Sequence, residues 1–163
     1  MGKKTLEDLF YDTLKDIYYA EKQIIRMLPK MAREAQSPDL KAGFEKHLQE
    51  TEGHVERLQQ VFELIGKRAH GKTCEAIQGM IAEGQEIIDD FKGTPVLDAG
   101  LISAVQAVEH YEIARYGSLR TWAETLGQKQ VVQLLDQTLQ EAGKTDRTLS
   151  KLAMTAANRK AAA

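Results

Sequence analysis

Leu48-Gln49-Glu50 returns as Leu139-Gln140-Glu141, and the reading of this repeated tripeptide decides the fold. Glu21 and Glu50 are separated by the same interval as Glu112 and Glu141, and in the same register Leu58 falls on Leu149. On the other member of each pair, Glu21, Leu28 and Ala32 recur as Glu112, Leu119 and Ala123, while Phe10, Leu14 and Ile17 fall on Leu101, Val105 and Val108. Two copies of one helical hairpin, with one glutamate on each helix, account for the pattern. If the copies pack together, four carboxylates meet in one core. Unpaired negative charge is costly there, and a bound cation is the usual remedy. The repeat therefore points to a metal site.

The punctuation around the repeat is helical. Thr5 followed by Asp8 reads as an N-cap with an acid at its third position. The apolar seam Phe10, Leu14, Ile17, Ile24, Leu28, Met31, Ala35 advances in steps of four and three, with Glu21 in its gap. Ser37-Pro38 starts a second helix and Gly66 closes it. A shorter amphipathic stretch runs from about Cys74 to Phe91. After Lys92-Gly93-Thr94-Pro95 a third long helix spans about Val96 to Leu126, stopped by Gly127. The fourth continues to about Ala157. Residues 158–163 lack apolar periodicity and are expected to form a flexible tail beyond a domain spanning 1–157. Pro29, inside the first helix, predicts a kink or irregular turn beyond Glu21.

No segment alternates as a strand would. The expected class is all-α: a ferritin-like four-helix bundle of two antiparallel hairpins, with an additional shorter helix in the long crossover connection. At 163 residues the chain suits one domain. Its 24 acids against 22 bases make nucleic acid and anionic membranes poor partners. No apolar run reaches membrane length, and the N-terminus turns acidic before a signal-peptide core forms, so the expected setting is the cytoplasm. A single cysteine, Cys74, cannot form an internal disulfide, and its plain reading is a small residue in a connecting segment.

A di-metal carboxylate site in such a bundle takes a glutamate from each of two helices and a glutamate with a histidine one turn on from each of the other two. Glu21 and Glu112 fit the first role. Glu50 with His54, four residues later, fits the second, and Glu141 supplies the fourth helix. The register sets Thr145, a weak ligand, opposite His54. Asp146 is five residues past Glu141 and points off that face, whereas Glu109, three before Glu112, is placed to supply the missing ligand. Each has a plainer alternative: His54 as a hydrogen-bonded core histidine, Glu109 as a solvated acid, His47 as a group that orients a carboxylate rather than ligating. His110 points away from Glu112. Of the tyrosines, Tyr18 lies one turn before Glu21 and in register with Glu109, so it is the one placed to bond a ligand, with Tyr19, Tyr111 and Tyr116 as core or rim. Glu50 and Glu141 are the expected shared ligands between two metals, with Glu21 and Glu112 terminal.

The strings Thr5-Leu6-Glu7-Asp8-Leu9-Phe10, Tyr19-Ala20-Glu21-Lys22-Gln23, His47-Leu48-Gln49-Glu50-Thr51, Val108-Glu109-His110-Tyr111-Glu112-Ile113-Ala114 and Thr145-Asp146 resemble the YciE/YciF family of bacterial ferritin-like proteins, which is associated with stress responses. The resemblance covers nearly the whole chain. It implies a ferritin-like bundle, homodimers and a di-metal centre, and it names no substrate. The Glu109-x-x-Glu112 pair is also similar to the third-helix pair of rubrerythrins, where both carboxylates bind metal. One departure is Glu141-Ala142, where family members often carry consecutive acids.

The expected cofactor is therefore two divalent ions, iron first with manganese or zinc as alternatives, held by Glu21, Glu50, His54, Glu109, Glu112 and Glu141. Dioxygen or peroxide would be the reactant of a ferroxidase or peroxide-consuming site. The alternative is a structural or interaction dimer whose acids hold a divalent ion without turnover.

Overall fold

The computed structural model describes residues 2–163; residue 1, where the expected domain span begins, lies outside the described residues. All regular structure among the described residues is helical. Helix α1 spans Leu6–Glu34, α2 Pro38–Leu64, α3 Glu75–Phe91, α4 Leu97–Thr125 and α5 Lys129–Leu152. A π-helical turn at Ala153–Ala157 leads to a last helix, α6, at Asn158–Ala162. The long helices pack in a ring, α1 on α2, α2 on α5, α5 on α4 and α4 on α1, and α3 lies outside against α4 and α1. This is the expected bundle of two hairpins, with α3 in the crossover.

Local chemistry sets the helix ends. The Thr5 hydroxyl accepts from the Asp8 amide at 3.2 Å while the Asp8 carboxylate accepts from the Thr5 amide at 2.8 Å, so two orphan donors of α1 are satisfied reciprocally. Ser37 caps α2, with Pro38 in its first turn. The α1–α2 turn is held from a distance: buried Asp98, at the start of α4, accepts from the amides of Gln36 at 2.8 Å and Ser37 at 2.9 Å. Gly66 and Gly127, with φ of 69° and 70°, end the two hairpin helices in the left-handed conformation that glycine takes without Cβ strain.

The expected seam is the observed core. Leu14, Ile17, Ile24 and Leu28 have no exposed surface. At about 1.5–3 kcal/mol per buried side chain, such layers above and below Glu21 stabilise the bundle enough to tolerate acids between them. Helix α4 contributes Leu101, Val105, Val108 and Leu119 to the same core. Where α3 approaches α1, the Met31 side chain fills the space beside Gly84: a Cβ there would lie 2.8 Å from Met31 Cε.

One expectation is corrected: helix α1 runs through Pro29 as unbroken α-helix, so no irregular turn forms there. Residues 158–163, expected as a flexible tail, are helical through Ala162, and Lys160 Nζ donates to Gln36 Oε1 at 3.2 Å. Alanine-rich composition carries the helix where periodicity is lacking. Among the described residues no helix is long and apolar enough to cross a membrane.

Candidate metal centre

Three helices send ionisable side chains into one buried layer. Glu21 from α1, His47 and His54 from α2, and Glu109 and Glu112 from α4 are each at most 2% exposed. Ligand atoms of Glu21, His54 and Glu112 lie within 4.8 Å of one another, and so do those of His47, Glu109 and Glu112. Glu112 is common to both groups. His54 Nδ1 is 3.1 Å from Glu21 Oε2, and His47 Nε2 meets Glu109 Oε1. Helix periodicity explains the convergence: Glu109 and Glu112 lie one turn apart on the face α4 turns inward, and His47 and His54 lie two turns apart on the matching face of α2.

The electrostatics of this layer are strained without a cation. Burial, supported by the charge of Glu109, pushes the Glu21 carboxyl up to about 7. Glu112 is pushed well above the usual carboxylate range, by burial first and then by Glu21 and Glu109. For His47 burial favours the neutral ring, but the adjacent Glu109 outweighs it and raises the imidazole. Glu21 Oε1, both oxygens of Glu109 and of Glu112, both nitrogens of His47, His54 Nε2 and the Tyr116 hydroxyl are buried with no well-formed hydrogen bond. Among the described residues, the only other buried side-chain polar atom in that condition is Arg120 Nε. Orphaned buried acceptors are rare in folded proteins and costly, so a cluster of them around two imidazoles suits cations. The donor set, carboxylate oxygen with imidazole nitrogen, fits iron, manganese or zinc.

Of the six sequence-predicted ligands, Glu21, His54, Glu109 and Glu112 are brought together here. Glu50 and Glu141 stand at the edge of the layer, each engaged by another helix. Glu50 accepts from the Thr145 hydroxyl at 2.8 Å, and with His47, Lys46, Lys144 and Thr145 it lines a small cavity of about 40 Å³ between α2 and α5. Glu141 is paired on both oxygens with Arg57, through Nη1 to Oε2 and through Nη2 to Oε1 at 2.9 Å, and its Oε2 lies 3.4 Å from His54 Nε2. Its partial burial works to raise the carboxyl, but His54 and Arg57 overcome that and hold it down at about 2. Glu112 is the residue common to both buried groups, and Glu50 and Glu141 belong to neither.

Sequence reading missed two members. Tyr116 is fully buried, edge-on to His54 at 6.3 Å between ring centres, and its phenol is pushed up by burial and by the charges of Glu21 and Glu112. Its signal was available: Tyr116 is four residues after Glu112 and shares its face. Arg57, three residues after His54, had the same signal. His47, left open between orienting and ligating, sits inside the layer. Tyr18 does not: its hydroxyl accepts from Gln59 at 3.3 Å and its ring packs on Phe62. His110 faces outward as expected and pairs with Asp146 at 3.1 Å, leaving Asp146 outside both groups. The repeat register that carries Glu21 to Glu112 also carries His47 to Thr138 and His54 to Thr145, so both imidazoles belong to the first hairpin.

A wider cavity of about 510 Å³, between α1, α4 and the start of α3, is lined by Asp16, Cys74, Tyr111 and Trp122 and lies apart from the acid layer. There the Tyr111 hydroxyl donates to Asp16 at 2.5 Å and lies 3.1 Å from Cys74 Sγ. Buried Cys74 also accepts from the Ile77 amide at 3.4 Å, so the thiol caps α3.

The family model described as "Domain of unknown function (DUF892)" matches residues 5–162. The chain is 44% identical to Protein YciF of Escherichia coli over 162 residues, which is 99% of this chain and 98% of that one. The crystal structure of the E. coli stress protein YciF matches with a TM-score of 0.91 at 44% identity, covering 96% of this chain and 99% of that one. YcfI from Rhodopseudomonas palustris matches with a TM-score of 0.88 at 46% identity, covering 90% of this chain and 94% of that one.

Proposed function

The chain belongs to the DUF892 family, and on that premise we propose that it is a di-metal carboxylate protein, with iron as the first candidate, that oxidises ferrous iron or consumes peroxide under stress. The observation that carries this reading is the set of orphaned buried atoms on Glu21, His47, His54, Glu109 and Glu112. One cation would be held by Glu21, His54 and Glu112, the other by His47, Glu109 and Glu112, with Glu50 and Glu141 at hand from the edges. Iron, when bound, supplies one-electron chemistry toward dioxygen or peroxide. The chain's own residues do the rest. The carboxylates supply negative charge that favours a more highly charged cation, and the apolar layers of Ile17, Ile24 and Val105 keep bulk water out. The narrow cavity beside His47 suits reactants no larger than dioxygen or peroxide.

Anaerobic loading with ferrous iron, desalting and elemental analysis test the centre directly. About two irons per chain, with a new near-ultraviolet band on exposure to oxygen, is the expected result. Glu112→Gln should lower the stoichiometry more than Glu21→Gln, because both groups share Glu112. A parent protein that retains no iron would overturn the reading.

The closure of the layer favours a second reading, a structural or interaction dimer that holds a divalent ion without turnover. Equal oxygen-dependent oxidation rates in Glu21→Ala and parent, with the fold intact, would select it. The homodimer and the cytoplasmic setting are carried over as parts of the proposal, and sedimentation tests the first.

A further inference from the structure

Arg57 places a permanent positive charge at the edge of the acid layer. Its side chain is only 16% exposed, its guanidinium spans both oxygens of Glu141, and Nη1 also donates to the Thr138 hydroxyl at 3.1 Å. Thr138 is itself buried, so the guanidinium is fixed on two sides. Across from it, His54 uses Nδ1 toward Glu21, and its Nε2 has no well-formed hydrogen bond although Glu141 Oε2 is 3.4 Å away. An imidazole nitrogen facing a carboxylate oxygen at that distance outlines a place for a cation, yet the carboxylate is already taken. Glu141 is accordingly absent from the group formed by Glu21, His54 and Glu112.

Resting on the metal reading above, we propose that Arg57 is a built-in competitor for the metal near His54: it holds Glu141 off the centre when the centre is empty, and releases it when a divalent cation arrives. Two cations on one carboxylate repel each other strongly in a poorly solvated site, and the bidentate fork is the geometry in which arginine holds a carboxylate best. The arrangement keeps the empty centre from carrying all its negative charge unpaired. It also makes the two cation positions unequal, because the carboxylate that Arg57 holds stands 3.4 Å from His54 of one group, whereas no such contact joins it to His47 of the other.

Anaerobic titration with Co(II), followed by its visible absorption against a competing chelator, reads each position separately. Arg57→Met keeps an apolar stem and removes the charge. It should tighten one of the two Co(II) equivalents by on the order of ten- to a hundredfold and leave the other nearly unchanged. Adding Glu141→Gln to that variant should abolish the gain. Thr138→Val retains the charge but loosens its anchor, and should tighten the same equivalent by a smaller factor; it stands as the test if Arg57→Met does not fold. Unchanged or weaker binding in these variants, with the parent taking two Co(II), would overturn the role given to Arg57 and leave the metal reading standing. A parent that takes up no Co(II) would overturn both.

Discussion

Glu21→Gln should make the metal-free protein more stable at neutral and alkaline pH. The Glu21 carboxyl is raised from 4.5 to about 7 by burial and by Glu109. Between those two values the unfolded chain has lost the proton and the folded chain still binds it, so folding stability falls as pH rises through that window. Below about 4.5 the group contributes nothing, and above about 7 the full loss, roughly 3 kcal/mol, is present. Glutamine keeps an acceptor for His54 and adds a donor toward Glu112 without an ionisable proton. In the presence of chelator, the variant should therefore match the parent near pH 4.5. It should exceed the parent by roughly 3 kcal/mol at pH 8, or roughly 6–12 °C in Tm for a chain of this size. Divalent metal should narrow that gap. The parent would gain about 2.7 kcal/mol at a hundredfold excess over Kd, and the variant, short of one ligand, less. Thermal melts across pH, with and without metal, provide the readout. A metal-free variant no more stable than the parent at pH 8 would refute the account of Glu21 as a buried acid held at a cost.

Asp98→Ala should strip two backbone donors, the amides of Gln36 and Ser37, of their acceptor; a loss of roughly 2–4 kcal/mol is expected and is read from urea midpoints. Tyr116→Phe removes a buried hydroxyl that has no well-formed hydrogen bond, so metal-free stability should hold or rise by up to about 1 kcal/mol, and a drop beyond that in thermal melts would reveal a bond the hydroxyl makes. His47→Ala should lower metal stoichiometry toward one per chain by elemental analysis, because it removes a donor from only one of the two groups.

The bundle was legible because several helix ends carry their own chemical mark, from Thr5 with Asp8 to Gly127, and because the repeat aligned two hairpins. The acid layer was legible for the same reason. What the repeat did not determine was which member of an equivalent pair turns inward. Tyr18 and Glu109 occupy the same register, each one turn before its glutamate, about 60° around the helix from it. Glu109 meets His47 on α2, whereas Tyr18 meets Gln59 and Phe62. The partner on the neighbouring helix decides, and spacing along one helix carries no trace of it. Thr145 and Arg57 reach Glu50 and Glu141 from across the α2–α5 seam, contacts that the repeat does not reveal. The helix at Asn158–Ala162 buries no residue, so no apolar periodicity marks it and its alanines are the one local signal.

Thr138 and Thr145 stand where a faithful copy of the first hairpin would carry histidines, and Glu109 stands where it would carry a tyrosine. Two identical hairpins would build a centre with a true dyad through it, whose two halves were interchangeable and would have to change together. Joining the copies in one chain removes that constraint, because each half can carry its own residues at equivalent positions. Where the first hairpin has its two histidines, the second has Thr138, whose hydroxyl accepts from Arg57, and Thr145, whose hydroxyl donates to Glu50. The repeated surface is thereby a division of labour, with the nitrogen donors on one half and the extra acid on the other.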